Sequence, residues 1–353
     1  MSKALLDIYT DYLISQTQYA TATGLSALLN GEISHDKVTR FLNKEDFDSK
    51  DLWKYIKPKV RKFSNASDGV LILDDSIEEK PYTDENDIVA WHFSHSKGRC
   101  VKGINILSTL VRYDDVAFPI GYEVISKTVR FCDIESRKEK RKSDVSKNNL
   151  FQKQIKLAIS NQVNFKYILA DNWFGSKKNM EFINNETDKK FILGMKSNRL
   201  VAFSKEEAKK GQYHNLESIN FKDGEKKIVY LKDLSFPVSL SKKVFTNEDK
   251  STGTLYLVTN DLDNDADQTY EIYKKRWRIE EYHKSIKQNA SLAKSPTKVE
   301  RSQKNHIFAS IISYCKLEFL KIKTTLNHFA LKYKLILRAN QMAFHELQKW
   351  RIT

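Results

Sequence analysis

The sequence predicts a mixed α/β protein: a sheet-and-helix core, interrupted late in the chain by a β-rich stretch and bracketed by helical segments. Three observations predict it. Short apolar runs at residues 69–73 (GVLIL), 165–170 (FKYILA) and 190–195 (KFILGM) have strand length and alternate with segments of helical periodicity. Residues 1–65 and the chain beyond residue 307 carry apolar residues at helical spacing. Residues 197–262 instead hold several short strand candidates separated by turn signals such as Asp223-Gly224 and Asn247-Glu248.

The elements follow in order. Residues 4–14 read as a helix, and residues 19–29 (YATATGLSALL) as a second, stopped by Asn30-Gly31; Ser34 caps a third over residues 34–42 (SHDKVTRFL). Helix, Gly-containing turn, then a helix exposing His35, Lys37 and Arg40 reads as a helix-turn-helix, so residues 1–65 are expected to be a helical DNA-binding domain. The strand at 69–73 ends in Asp74-Asp75-Ser76. Strands at 103–111 and 116–125 follow, split by the turn Tyr113-Asp114-Asp115, and the charge run 137–142 (RKEKRK) reads as a solvated loop able to track phosphates. Residues 149–159 are an amphipathic helix, 165–170 a strand ending at Asp171, 177–184 a helix and 190–195 a strand. That order, three strands and then helix, strand, helix, strand, is the order of an RNase H-like core. Within 197–262 the strand candidates are 227–231, 238–240 and 254–258; after them come a helical stretch at 270–289 and helical segments at 307–320, 326–337 and 340–350. The expected division is a helical domain (1–65), an RNase H-like core (66–196 and 263–325), a β-rich insertion (197–262) and a C-terminal helical tail (326–353).

Composition narrows the function. The 353 residues are 40% hydrophobic and 30% charged, enough for a substantial core and two or three domains. Lys+Arg 60 against Asp+Glu 45 leaves a net charge of +15, an excess that points to a polyanionic partner, most simply nucleic acid. Cys100, Cys132 and Cys315 are few and unevenly spaced, as reduced thiols of a cytosolic protein are. No secretory signal and no membrane span are expected, because the first residues carry acids and no apolar run reaches ~18 residues. Glycine-rich phosphate loops and the G-x-S-x-G nucleophile motif are absent, so neither a nucleotide cofactor nor that acyl-transfer chemistry is expected. His92, His95 and Cys100 lack a second ligand pair at zinc-finger spacing, and no metal is expected there.

The chemistry gathers on residues 270–289 (YEIYKKRWRIEEYHKSIKQN). Read as one helix at about 100° per residue, Tyr273, Arg276, Glu280 and Lys287 fall near about 0°, 300°, 340° and 320°, on one narrow face. Ile272, Ile279, Tyr282 and Ile286 form the apolar face beside it, whereas Glu281 falls near about 80°, off the charged face. Transfer of a phosphoryl group on DNA uses two divalent cations about 4 Å apart, which oxygen-rich carboxylate sets hold. Such a set is available: Asp74 or Asp75 after the first strand, Asp171 after a later one, and Glu280 on this helix.

The spacing Y-x2-R-x3-E-x6-K resembles the signature of bacterial insertion-sequence DDE transposases of the IS-four-like family. The run YILADNWFGS around Asp171 is similar to the second motif of that family, and Asp74 followed by Ser76 is similar to the first, which favours Asp74 over Asp75. Trp173 and Phe174 read as packing residues. Asp171 and Glu280 stand 109 residues apart, room for the β-rich insertion that the family carries there. The resemblance covers about residues 65–320. It implies that Asp74, Asp171 and Glu280 are catalytic and bind Mg²⁺ or Mn²⁺, and that Tyr273, Arg276, Lys284 and Lys287 contact DNA. It further implies hydrolysis at each transposon end, transfer of the freed 3′-OH into target DNA, double-stranded DNA partners (terminal inverted repeats and target), and a homodimer in the synaptic complex. No covalent protein–DNA link or ATP is implied, and the expected location is the bacterial cytoplasm, at the nucleoid. The rival readings are an RNase H-like nuclease or resolvase without strand transfer, and a catalytically silent DNA-binding descendant.

Overall fold

A computed structural model describes residues 2–64, 69–246 and 248–352. Four helices come first: α1 (Ser2–Ser15), α2 (Ala22–Leu28), α3 (His35–Lys44) and α4 (Ser49–Ser64). Then come β1 (Gly69–Glu79), β2 (Val89–Ser94), β3 (Arg99–Tyr113), β4 (Val116–Val124), β5 (Val129–Asp133), β6 (Lys138–Lys142), α5 (Lys147–Ser160), β7 (Phe165–Ala170), α6 (Lys177–Glu186) and β8 (Lys190–Met195). The late segment holds β9 (Leu200–Ala202), α7 (Lys205–Lys209), β10 (His214–Asn215), β11 (Lys226–Leu231), β12 (Val238–Thr246) and β13 (Thr252–Thr259). The chain closes with α8 (Ala266–Lys274), α9 (Arg278–Gln288), α10 (Glu300–Thr324) and α11 (His328–Ile352). The protein is thus mixed α/β.

Among the described residues, eleven strands form one mixed sheet. Its centre is β1, antiparallel to β3 and parallel to β7, which is parallel in turn to β8. The long β3 pairs on its far edge with β2 along its first part and with β4 along its second. Beyond β8 the sheet continues antiparallel through β13 and β12 to β11, then to β9 and β10, so residues 200–259 extend the sheet that carries β1. The central strands read as near-continuous apolar runs because both faces are covered. Leu71, Ile72, Leu73, Ile168, Leu169, Ile192 and Leu193 are all fully buried.

The N-terminal helices fold as their signals require. Ser34 caps α3 by accepting the Lys37 N–H, and Val38, Phe41 and Leu42 turn inward. Those residues join Leu5, Tyr9, Leu13 and Leu25 in a small core that includes Ala309 of α10. Helix α4 packs elsewhere: its Leu52, Trp53, Ile56 and Val60 belong to the main core with the sheet. The buried α10 ties the parts together. Asn305 donates to the Leu42 and Glu45 carbonyls at 2.8 and 2.6 Å and accepts from the Phe47 N–H.

Several sequence readings need correction. The first strand does not stop at Leu73; β1 runs through Asp74 and Asp75 to Glu79, because β3 pairs with it along that whole length. The stretch 270–289 is not one helix; a 3-10 turn at Lys275–Trp277 separates α8 from α9. The charge run 137–142 is not a loop: β6 pairs with β5 in a separate two-stranded ribbon, where Lys138, Lys140 and Lys142 alternate onto one face. The second helix starts at Ala22 with Thr21 as its cap, not at residue 19. The two C-terminal helical segments are one helix, α11, as nothing between residues 337 and 340 breaks it. Strands β5, β9 and β10 are short, and β2 (VAWHFS) mixes apolar and polar residues without a clean period of two, so the sequence did not announce them.

Candidate active site

Strand alternation separates the adjacent Asp74 and Asp75. Asp74 shares a face with Ser76, and over that face lies α9, whose Lys287 donates to the Ile77 carbonyl at 2.8 Å. Asp75 also lines the groove but is tied to other partners: Lys147 of α5 donates to both its oxygens at 3.0 Å, and Asn105 donates at 2.7 Å. Lys147 also stands 4.2 Å from the centre of the Trp173 ring. Asp171 follows β7 directly and accepts the Trp173 N–H at 3.0 Å. The loop after it lies flat on β8. A Cβ at Gly194 would sit 2.8 Å from the Asn172 nitrogen, and one at Gly175 would sit 2.5 Å from the Gly194 carbonyl oxygen. Phe174 is fully buried and stacks on Phe151 at 4.8 Å, a packing role.

Asp74, Asp171 and Glu280 line one groove together with Lys147, Trp173, His283, Lys284 and Lys287. Arg276 bridges two of the three acids, 3.5 Å from Asp74 and 3.3 Å from Glu280. Its guanidinium lies over the Tyr273 ring, 5.7 Å from the centroid, and Tyr273 itself is buried. The 3-10 turn therefore keeps Arg276 and Glu280 together although it rotates them relative to a straight helix. Lys284 is exposed at the rim, 5.2 Å from the Phe329 ring centre. The seven residues singled out in the sequence are thus brought to one region, with Tyr273 beneath Arg276 rather than on the open surface. Among the described residues, His92, His95 and Cys100 form no metal-holding group.

The field in the groove is one of crowded negative charge. Burial pushes the Asp74 carboxyl up to about 8, with Asp171 the next cause and Glu280 and Asp75 adding, while Arg276 opposes. Asp171 is also raised, by burial first, against the Trp173 N–H and Arg276. Burial works against the Arg276 charge, but Tyr273, Asp74, Glu280 and Asp171 outweigh it and hold the guanidinium charged. Burial lowers Lys287, opposed by Glu78 and Glu79. Asp74 and Glu280 offer ligand oxygens within 4.8 Å of each other, and Asp171 lines the same groove. Hard oxygen donors of this kind fit a divalent cation, whose positive charge would relieve their repulsion.

Helix α9 is clamped from behind by a buried ion network that the sequence did not announce. Glu318 of α10 is fully buried; it lies 3.1 Å from Arg278 of α9 and 2.8 Å from His328, and accepts the Ala117 N–H of β4 at 3.0 Å. Lys147 and His283 were likewise missed. The signal for His283 was its place three residues after Glu280, one helical turn away.

A family model described as DDE superfamily endonuclease matches residues 2–217, well over half of the chain, and one described as transposase DDE domain matches residues 139–316. The chain belongs to the DDE transposase family and is a DNA-cleaving enzyme. The first match contains Asp74 and Asp171, and the second contains Asp171 and Glu280. Transposases of this class act on DNA and depend on divalent metal. No curated protein matches the chain. No helix among the described residues is long and apolar enough to cross a membrane.

Proposed function

We propose that this enzyme excises and integrates an insertion sequence of the IS-four-like type, using Asp74, Asp171 and Glu280 as its catalytic, metal-holding carboxylates. The observation that carries the reading is the convergence of these acids with Arg276, Lys284 and Lys287 in one groove. The strand order β3-β1-β7-β8, with only β3 reversed, supports an RNase H-like core at 66–196 and 263–325. Strands β9–β13 are then the β-rich insertion (197–262), grown onto the sheet edge, and residues 326–353 the C-terminal tail.

Bound Mg²⁺ or Mn²⁺ supplies Lewis-acid activation at the phosphate and its attacking hydroxyl. The chain does the rest. The three carboxylates would hold that cation and so fix the place of reaction, and Arg276 beside them would grip a phosphate bidentately. Tyr273 backs the guanidinium, and Lys284 and Lys287 add point charges along the DNA strand. The N-terminal domain (1–65) binds the terminal inverted repeats through α2 and α3, with His35 and Arg40 exposed on the second of these. The cationic face of β6 offers a ribbon of a size that the major groove of duplex DNA admits. A homodimer is supported by α11: Ala330, Tyr333, Leu337, Asn340, Phe344 and Leu347 recur at alternating steps of three and four, and four of them are large and exposed. The enzyme works in the bacterial cytoplasm, at the nucleoid.

The test is strand transfer in vitro. Purified protein, a duplex bearing its own element's end, a supercoiled plasmid and Mg²⁺ or Mn²⁺ should give joined product. Glu280→Gln should give none. Nicking without joining would replace this reading by a nuclease or resolvase, and end binding without cleavage would replace it by a silent binder.

A further inference from the structure

His283 has no part in the reading above. It follows Glu280 by three residues on α9, so both side chains project to the same side of the helix. A Glu-x-x-His pair on one helix is a recurring ligand arrangement for divalent metals. Here a ligand atom of His283 lies within 4.8 Å of ligand atoms of both Asp74 and Glu280. Its Nε2 is buried and has no hydrogen-bond partner among the described residues. The same is true of the buried His92 Nε2, but His92 belongs to no metal-holding group among the described residues, so it is the company of Asp74 and Glu280 that sets His283 apart.

We infer that His283 is a ligand of the groove's divalent cation, adding one nitrogen donor to the oxygens of Asp74 and Glu280. This rests on the proposal that the groove holds such a cation. An all-oxygen set suits Mg²⁺, which keeps to hard donors, whereas imidazole suits the later divalent metals. The added nitrogen therefore shifts the preference of the site toward Mn²⁺.

The test is electron spin-echo envelope modulation on the full chain loaded with Mn²⁺, without DNA. The expected result is modulation from one directly bound imidazole nitrogen that changes on ¹⁵N-histidine labelling and vanishes in His283→Gln. Mn²⁺ affinity should fall by about tenfold in that variant, with Mg²⁺ affinity much less affected. The labelled wild-type spectrum decides whether a histidine is bound even if His283→Gln does not fold, and His283→Asn serves as the second variant. Bound Mn²⁺ without nitrogen modulation would overturn the assignment of His283 and leave the carboxylate site standing. Mn²⁺ affinity unchanged in an Asp74→Asn, Glu280→Gln double variant would overturn the cation site itself.

Discussion

Replacing Asp74 by Asn should stabilise the metal-free protein while destroying its response to metal. The folded Asp74 carboxyl is raised from 3.8 to about 8 by burial and by Asp171. The folded state therefore holds a proton that the unfolded chain has already released. Stability from this group is complete below pH 4 and is lost as pH rises toward about 8. At pH 7 the gap from 3.8 is about three units, or roughly 4 kcal/mol at ~1.4 kcal/mol per unit. The carboxamide escapes that loss but gives up part of the pairing with Arg276, so a net gain of about 2–3 kcal/mol is expected. For 353 residues, at ~2.1 cal/mol/K each, that is a Tm rise of roughly 3–4 °C. Calorimetry in EDTA from pH 5 to 8.5 reads it directly: the variant should melt higher, with the gap widening as pH rises. Added Mn²⁺ should raise the Tm of the wild type and not that of the variant. A variant that melts lower in EDTA, or that keeps the wild-type metal shift, would refute the account of the crowded carboxylates.

Two further outcomes follow from the neighbours. Asp75→Asn should retain DNA cleavage within about tenfold, because Asp75 is committed to Lys147 and Asn105, and should lose only about 1 kcal/mol from that partly exposed pair; single-turnover cleavage and urea unfolding check both. Glu318→Ala should cost about 3–5 kcal/mol, since it strips a buried acceptor from His328, from the Ala117 N–H and from Arg278, which keeps its pair with Glu281. Burial opposes the Glu318 charge, but His328, Arg278 and Lys321 outweigh it and hold its carboxyl below the usual range. Its contribution is therefore present above the ordinary glutamate pKa and lost as pH falls through the lower folded value; the urea midpoints of wild type and variant should differ at pH 7 and converge in acid.

The central strands β7 and β8 were legible because burial on both faces writes a nearly continuous apolar run, and residues 165–170 and 190–195 coincide with them. The cap at Ser34 was legible because it is a local interaction. What lay beyond reach was set by partners distant in sequence. Nothing in DDSIEE announces a strand; β3 makes it one by pairing. Strand β6 (KEKRK) has no apolar residue, so no hydrophobic period marks it, and its pairing with β5 is what makes it a strand. Helical angles placed Arg276 beside Glu280, yet the 3-10 turn between α8 and α9 left no mark in the periodicity. Glu318 sits in a helix that is buried nearly all round, where a single acid has no amphipathic frame to reveal its partner 40 residues away.

The most direct measurement is single-turnover cleavage of an end-bearing duplex, in Mg²⁺ and in Mn²⁺, by Asp74→Asn, Asp171→Asn and Glu280→Gln, with duplex binding measured alongside. The account predicts that each substitution lowers the cleavage rate by about a thousandfold or more while binding persists within a few-fold, because each acid holds the metal that acts in the transition state. Cleavage at near wild-type rate by any one of the three would contradict the assignment of that carboxylate and, with it, the three-acid site.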